Sequence, residues 1–280
     1  MLRSMNELLG YAIRATDGDI GHVDDFYFDD HSWVIRYLVV GTGTWLSHRK
    51  VLISPVAIGR PDWTIEVLPA AITKEQVMNS PDVDTEQPVS RQYEEVLHDY
   101  YGYPYYWGGA GLWGMGAYPE PLMAGMGGFG NLVSSKPVVP PEMQEAYVHV
   151  EEAQQQHKNP HLQSGTAVIG YHIHATDGDI GHVQGLLIDE DTWAIRYIIV
   201  NTGNWWLGHQ VLVAPDWIRD VSWSNSEVVV DLTRQAIKDA PLYDPAVPLD
   251  REQEARIHAH HGRAGYWTAA TKPEDDASRD

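Results

Sequence analysis

Two aspartates and a histidine occupy fixed positions in a short segment that the chain contains twice. Asp17, Asp19 and His22 lie in Ala-Thr-Asp-Gly-Asp-Ile-Gly-His-Val, and the same nine letters run again from Ala175 to Val183. Paired carboxylates can bind cations or transfer protons. Asp-Gly is also the strongest hairpin dipeptide, and Asp in a turn hydrogen-bonds its own backbone. We therefore predict turn chemistry here, and the lack of a closing Glu at the required spacing excludes an EF-hand.

Histidine is the second candidate for metal chemistry. The 14 histidines are densest at His172-x-His174 and His258-x-His260-His261. The equivalent positions of the earlier copy (12, 14, 98, 100 and 101) hold histidine only at 98. A site common to both copies would keep its ligands in both, so we predict no dedicated metal site. The chain has no cysteine, which excludes disulfides, thiolate catalysis and cysteine-ligated zinc.

An arginine stands in the middle of an apolar strand in each copy. Arg36 and Arg196 both lie in Ile-Arg-Tyr. Because a charge among apolar residues needs a partner, we hypothesise that each pairs with an acidic residue of its own copy, Asp19 or Asp29 or their equivalents. The repeated structural motif that we assign comprises Asp17, Gly18, Gly21, Arg36, Asp177, Gly178, Gly181 and Arg196.

No known catalytic motif is present. The sequence lacks Gly-x-Ser-x-Gly, His-Glu-x-x-His, a phosphate-binding glycine loop and a dinucleotide fingerprint. The run 108–111 is rich in glycine, but no strand precedes it and no Lys-Ser/Thr follows it. We therefore predict no enzymatic activity, no catalytic residues and no cofactor.

Aromatic residues are the remaining functional signal. The chain has 11 Trp and 15 Tyr but only 3 Phe. Trp and Tyr dominate the energetic centres of protein interfaces, but they also pack at domain edges. Trp107 and Trp267 therefore either cover their own domain or belong to an exposed recognition patch. Our interaction candidates are Trp45, Trp205, Trp206, Tyr106, Trp107, Tyr266 and Trp267.

These residues belong to a unit that occurs twice at a constant offset of 160 positions. Ile35-Arg36-Tyr37 matches Ile195-Arg196-Tyr197. Later matches are Arg91, Glu94, His98, Tyr106 and Trp107 with Arg251, Glu254, His258, Tyr266 and Trp267. Short strands separated by turns predict a small antiparallel barrel or sandwich in each copy. We interpret the shared positions as preserving turns and packing, not reactive groups.

Two short helices are predicted after each set of strands. Thr73, Ser90, Thr233 and Asp250 have the side chains expected of N-caps, and Gly102 and Gly262 those of helix ends. The predicted segments are a first barrel at 1–84, a helix at 85–102, a flexible Gly/Tyr/Trp/Met/Pro-rich linker at 103–141, an acidic helix and connector at 142–165, a second barrel at 166–244, a helix with a Tyr-Trp motif at 245–267 and a disordered tail at 268–280.

Charge limits the classes of partner. The formal net charge is −20, which disfavours nucleic acid and anionic membranes. No stretch approaches the roughly 18 apolar residues that span a bilayer, and no export signal is visible. We therefore expect a cytoplasmic protein without membrane insertion.

The repeated strand, the Thr-Asp-Gly-Asp-Ile-Gly-His-Val turn and Trp-x-Ile-Arg-Tyr together resemble the PRC-barrel family. So does Leu232 to Asp244, which follows the second set of strands. The resemblance implies two tandem PRC-type barrels, a mainly β fold and a non-enzymatic protein-interaction or adaptor role with an unidentified protein partner. From the duplication of core residues we also hypothesise self-association or intramolecular pairing of the two barrels. The alternatives left open are a small-ligand or divalent-cation sensor and an accessory factor related to photosynthetic reaction-centre electron transfer.

Overall fold

The structure is a computed structural model that describes residues 1–81, 83, 89–119, 161–203 and 209–268. Most of the predicted linker, the predicted acidic helix, Trp205, Trp206 and nearly all of the predicted tail lie outside these ranges. As far as they are described, Arg3–Val168 and Leu186–Arg196 form one compact unit, named here the first unit. Met1–Leu2, Ile169–Gly185 and Tyr197–Asp280 form the second unit. The fold is mainly β.

The first copy of the repeat forms an open sheet followed by two helices. Its elements are β1 Leu2–Ser4, α1 Met5–Leu8, β2 Ala12–Ala15, β3 Gly18–Asp29, β4 Val34–Gly41, β5 Lys50–Ile53, β6 Val67–Pro69, α2 Lys74–Met78 and α3 Arg91–Tyr101. The sheet order is β5-β4-β3-β2-β6, and β7 (Leu162–Ser164) pairs with the end of β3.

The second copy repeats this order. Its elements are β8 His172–Ala175, β9 Gly178–Asp189, β10 Ile195–Asn201, β11 Gln210–Val213, β12 Ile218–Ser222, β13 Glu227–Val230, α4 Arg234–Lys238 and α5 Arg251–His260. The sheet order is β11-β10-β9-β8-β13-β12.

The predicted hairpin is confirmed in both copies. Ala15 pairs with Gly18, and Ala175 pairs with Gly178. Gly21 is required by close packing, because a Cβ there would lie 2.0 Å from the carbonyl oxygen of Gly41. Gly181 is required for the same reason, since its Cβ would lie 2.0 Å from the Asn201 carbonyl oxygen.

The described sheets differ from the predicted small antiparallel barrels in two respects. First, β2 pairs with β6 in parallel, as β8 does with β13, because the chain crosses over between β5 and β6 instead of turning back in a hairpin. Second, the ladder of described strands starts at β5 and ends at β6 without closing. A 3-10 turn at Pro55–Ala57 follows β5, and proline cannot donate to a ladder.

The helix ends follow the sequence prediction. The Thr73 hydroxyl accepts the Gln76 N–H, and the Ser90 hydroxyl accepts the Tyr93 N–H. Thr233 and Asp250 cap α4 and α5 in the same way. Gly102 and Gly262 adopt positive φ angles of 70° and 62°, which glycine tolerates without strain.

Helix α3 packs against the sheet through one face. Its buried residues are Glu94, Leu97 and His98, whose spacing places them on one helical face. Leu97 packs with Tyr37, Val39 and other buried residues of the sheet. Two of the three inward side chains are ionisable, so they require partners in the interior.

Part of the predicted linker is packed onto the first unit. Residues 103–119 are described, and within them Tyr106 and Trp113 are buried. Trp113 donates its indole N–H to the Thr192 carbonyl oxygen at 2.8 Å. The Leu112 carbonyl oxygen accepts from Arg36 at 2.6 Å. The glycines of this segment therefore lie among aromatic side chains that are held in place by packing and hydrogen bonds.

A membrane-spanning helix would need a long apolar run, and none of the helices in the described residues has one.

Candidate functional site: a buried polar cluster in each unit

A cluster of ionisable side chains joins α3 to the sheet in the first unit. The Tyr37 hydroxyl lies 3.1 Å from Glu94 Oε2 and 2.9 Å from His98 Nε2. Tyr106 donates its hydroxyl to the same Glu94 oxygen at 2.5 Å. Arg91 Nη1 lies 2.9 Å from the Tyr106 hydroxyl and 3.2 Å from Glu94 Oε1. We name these five residues the first polar cluster.

The cluster lies in the interior of the unit. Glu94 is 0% exposed, His98 1% and Tyr106 5%. Burial lowers the pKa of His98 to about 4, so the imidazole is neutral at pH 7. Burial, together with the charge of Glu94, raises the pKa of Tyr37 well above its usual value. Both groups therefore keep the neutral form that burial favours.

The protonation of His98 follows from its neighbours. Nδ1 lies 3.0 Å from the Pro104 carbonyl oxygen, which can only accept, so Nδ1 carries the proton. Nε2 of the neutral ring must then accept from Tyr37. The single hydroxyl proton of Tyr37 is consequently shared by two acceptors, the imidazole and the Glu94 carboxylate.

The second unit contains the same cluster, each member 160 positions later. The Tyr197 hydroxyl lies 3.0 Å from both Glu254 Oε2 and His258 Nε2. Tyr266 donates to Glu254 Oε2 at 2.9 Å, and Arg251 Nη1 lies 3.2 Å from Glu254 Oε1. His258 Nδ1 lies 2.9 Å from the Ala264 carbonyl oxygen, which is equivalent to Pro104. We name Tyr197, Arg251, Glu254, His258 and Tyr266 the second polar cluster.

The two clusters differ at their edges. In the first, His161 Nε2 approaches Glu94 Oε1 at 2.9 Å and the Tyr106 hydroxyl at 3.2 Å. In the second, the ring of Trp217 lies 5.0 Å from the ring of His258. Among the described residues, Glu94 therefore has one more nitrogen neighbour, His161, than Glu254 has.

The shared positions that we interpreted as preserving turns and packing include these ionisable residues, and their convergence was not predicted. Glu94 and His98 are shared positions, yet they are ionisable groups that converge at equivalent places in both units. The sequence contained the signal, since Arg91, Glu94 and His98 recur together at helical spacing. What it lacked was the partner, because Tyr37 lies 57 positions before Glu94.

The predicted turn aspartates fix the short helices. Asp17 Oδ1 accepts the backbone N–H of Lys74 at 2.8 Å, and Asp177 Oδ1 accepts that of Arg234 at 2.7 Å. Each carboxylate thus satisfies a free N–H at the start of α2 or α4. Asp19 instead forms a salt bridge with Arg14 at 2.9 Å. The prediction of a structural role agrees with these contacts, although the bonded backbone is distant in sequence.

The arginine hypothesis is confirmed for one of the two residues. Arg196 Nη2 lies 3.2 Å from Asp189 Oδ2, and Asp189 is the equivalent of Asp29. Arg36 is 3% exposed and donates to the Leu112 carbonyl oxygen and, at 3.0 Å, to the Ser32 hydroxyl. Its guanidinium also lies 3.8 Å from the centre of the Tyr106 ring. Arg36 therefore hydrogen-bonds a carbonyl and a hydroxyl and interacts with Asp29 electrostatically, whereas Arg196 bonds the equivalent carboxylate directly.

The aromatic candidates separate into interior and edge positions. Tyr106 and Tyr266 belong to the polar clusters. Trp107 lies beside them, with its ring 5.2 Å from that of His98 and under the Arg91 guanidinium at 4.3 Å. Trp267 has the same place, 5.0 Å from His258 and 4.5 Å from Arg251. These contacts favour the interpretation in which both tryptophans cover their own domain.

Trp45 is half-buried against the first unit. Its indole N–H donates to the carbonyl oxygen of Ile20, and Lys74 Nζ lies 4.4 Å above its ring. Its equivalent, Trp205, and the adjacent Trp206 lie outside the described residues.

Two groups of side chains among the described residues have the donors of a cation site. One is Asp29, Asp30 and His31, and the other is His174, Asp179 and Glu227. Asp29 already accepts the backbone N–H groups of His31 and Ser32, each at 3.0 Å. His174 lies 2.7 Å from Asp179, where the first copy has the Arg14–Asp19 salt bridge. The second group therefore occupies the place of an ion pair that needs no metal.

Comparison with known proteins identifies the first sheet. The family model described as PRC-barrel domain matches residues 2–71, a quarter of the chain. No curated protein matches the chain. The match covers β1 to β6 and ends before α2, so the polar cluster combines a tyrosine of the matched domain with a helix outside it. The chain therefore carries a PRC-barrel domain at residues 2–71.

Proposed function

We propose that this chain is a non-enzymatic protein-interaction protein built from two PRC-barrels, each with a helix fixed across its sheet. The observation that carries the proposal is the use of the repeated ionisable groups. In both units the glutamate and the histidine are buried, and both bond the buried tyrosine of a neighbouring strand. Catalysis needs such groups within reach of a substrate.

The polar clusters then have a structural role, which is to fix a helix against the sheet of each unit. A glutamate and a histidine on α3 are bonded to Tyr37 of β4, and the equivalent residues bond α5 to β10. Buried and satisfied polar groups of this kind fix one arrangement of the packed elements. A rigid helix can present its outer face to another protein with little ordering cost.

A cation sensor is the competing function. The group of His174, Asp179 and Glu227 has suitable donors. The first copy nevertheless keeps the corresponding interaction as an Arg14–Asp19 salt bridge. We therefore favour the interaction protein over the cation sensor. A reaction-centre accessory role is supported only by the resemblance to the PRC-barrel family.

Crosslinking in cells tests the proposed function without assuming a particular surface. The full chain is treated in vivo with formaldehyde, purified through a tag and analysed by mass spectrometry against cells that express an unrelated acidic protein. We expect one or a few proteins to be enriched near stoichiometry. Recovery of the chain alone would contradict the proposal.

A further inference from the structure

The exposed side chains of α2 and α3 differ from those of α4 and α5, although the polar clusters beneath the helices are the same in both units. On the first unit, the exposed positions of α2 and α3 include Met78, Val96 and Tyr100, which are 49%, 54% and 39% exposed. The equivalent residues of α4 and α5 are Lys238, Arg256 and His260. An apolar strip in one unit therefore corresponds to a polar and basic strip in the other.

The packing beneath this face is the same in both copies. The Tyr100 hydroxyl donates to the Gln76 carbonyl oxygen at 2.8 Å, and His260 Nε2 lies 2.9 Å from the equivalent Ala236 carbonyl oxygen. The difference in side chains therefore does not come from a different helix arrangement. Since this backbone also carries lysine, arginine and histidine, the apolar residues of the first unit are not required by folding.

Carboxylates border the apolar strip of the first unit. Glu75, Glu95 and Asp99 are exposed, and the second copy has Gln235, Ala255 and Ala259 in their places. Asp99 accepts from the Tyr105 hydroxyl at 2.6 Å. The structure gives no ion pair to Glu75 or Glu95 among the described residues. The charge of Glu75 also contributes, after burial, to the raised pKa of Tyr100.

The nearby cations offset part of the negative charge of this face. Burial and the charge of Glu75 raise the pKa of Tyr100, and the charge of Arg49 opposes them. Arg49 donates to the carbonyl oxygens of Met78 and Ser80 at 3.0 Å and 2.5 Å. Lys74 lies over Trp45, and Arg91 is bound to Glu94 in the polar cluster. Three carboxylates around the exposed apolar side chains therefore outnumber the two cations Arg49 and Lys74 and leave the border negative, on a chain whose net charge is −20.

We propose that the face formed by Met78, Val96 and Tyr100, with Glu75, Glu95 and Asp99 around it, binds a segment of another protein that carries Lys or Arg beside apolar side chains. This inference rests on the proposed function and locates it in the first unit alone. Apolar side chains supply the affinity of such a contact, and opposite charges supply association rate and selectivity. The same border repels a second copy of this face, because carboxylates would then meet carboxylates.

Site-specific photocrosslinking tests the location and the chemistry together. A benzophenone amino acid replaces Gln92, which is exposed one turn before Val96, in the full chain inside cells. The matched control carries it at Glu252, the equivalent position of α5. We expect an adduct from position 92 only, with the crosslinked peptide rich in Lys or Arg and apolar residues.

Substitutions taken from the second copy supply the controls. Val96→Arg with Met78→Lys should abolish the adduct. Glu95→Ala with Asp99→Ala should reduce it roughly tenfold at low salt and less at high salt. Circular dichroism should show unchanged folding, because the second unit already carries these residues on the same backbone.

Each other outcome overturns the inference and leaves the proposed function to the formaldehyde experiment. These outcomes are an acidic or uncharged crosslinked peptide, an adduct with a second copy of this chain, an adduct from position 252 only, an adduct from position 92 that survives all four substitutions, and no protein adduct from either position. Enrichment of a protein by formaldehyde with no adduct at position 92 would place the contact on another surface.

Discussion

Acid should destabilise the first unit through His98. The side chain is 1% exposed, and its pKa falls from 6.5 to about 4 because burial penalises the imidazolium. In the unfolded chain, His98 takes up a proton below pH 6.5, whereas the folded unit resists this until about pH 4. Stability from this residue is therefore complete above pH 6.5 and is lost as the pH falls towards 4. At about 1.36 kcal/mol per pKa unit, the loss amounts to about 3 kcal/mol.

Urea denaturation at several pH values between 7 and 4 measures this loss in the full chain. The comparison is with His98→Gln, which cannot titrate, and with His258→Gln in the second cluster. The free energy of unfolding of the first unit should fall by about 3 kcal/mol more in the parent than in His98→Gln across this range. An NMR titration assigns the change to the residue. A His98 midpoint near 6.5, or equal pH dependence in both proteins, would refute the reasoning.

Further predictions concern single residues, each measured by urea denaturation or thermal melting of the full chain. Glu94→Ala should cost about 3 kcal/mol or more, because it leaves Arg91 and two tyrosine hydroxyls without their buried acceptor; a cost below 1 kcal/mol would show that the cluster adds little. Gly21→Ala should prevent normal folding, because its Cβ would lie 2.0 Å from the Gly41 carbonyl oxygen; an unchanged melting temperature would contradict this contact. Thr73→Ala should cost about 1 kcal/mol through loss of the α2 cap, and Thr73→Ser should restore most of it.

Local features of the fold could be predicted from the sequence. The hairpin at Asp17-Gly18, the caps Thr73 and Ser90 and the helix end at Gly102 each depend on a few neighbouring residues. Such features follow from backbone preferences and short-range hydrogen bonds. The same reasoning failed for β6, because parallel pairing is decided by how the chain crosses the sheet after β5.

The polar clusters show where the sequence stopped being informative. The repeat marked Glu94 and His98 as shared residues, but a strand tyrosine and a helical glutamate 57 positions apart meet only when α3 lies across the sheet. Asp17 is similar, since its carboxylate binds the start of α2 and not its own turn. Arg36 donates to a backbone carbonyl oxygen, and a backbone partner cannot be predicted from the pattern of side chains in the sequence.

The sequence by itself determined that this protein contains two copies of one unit, with strands, turns and helix caps at matching positions. Strands, turns and caps could be predicted because they depend on residue type and local spacing. The tertiary structure alone decided that the repeated ionisable residues face inward and bond one another, and that the apolar strip of α2 and α3 faces outward. The physical reason is that burial and pairing are properties of distant segments brought together, and the free energy of a charged group depends on what then surrounds it.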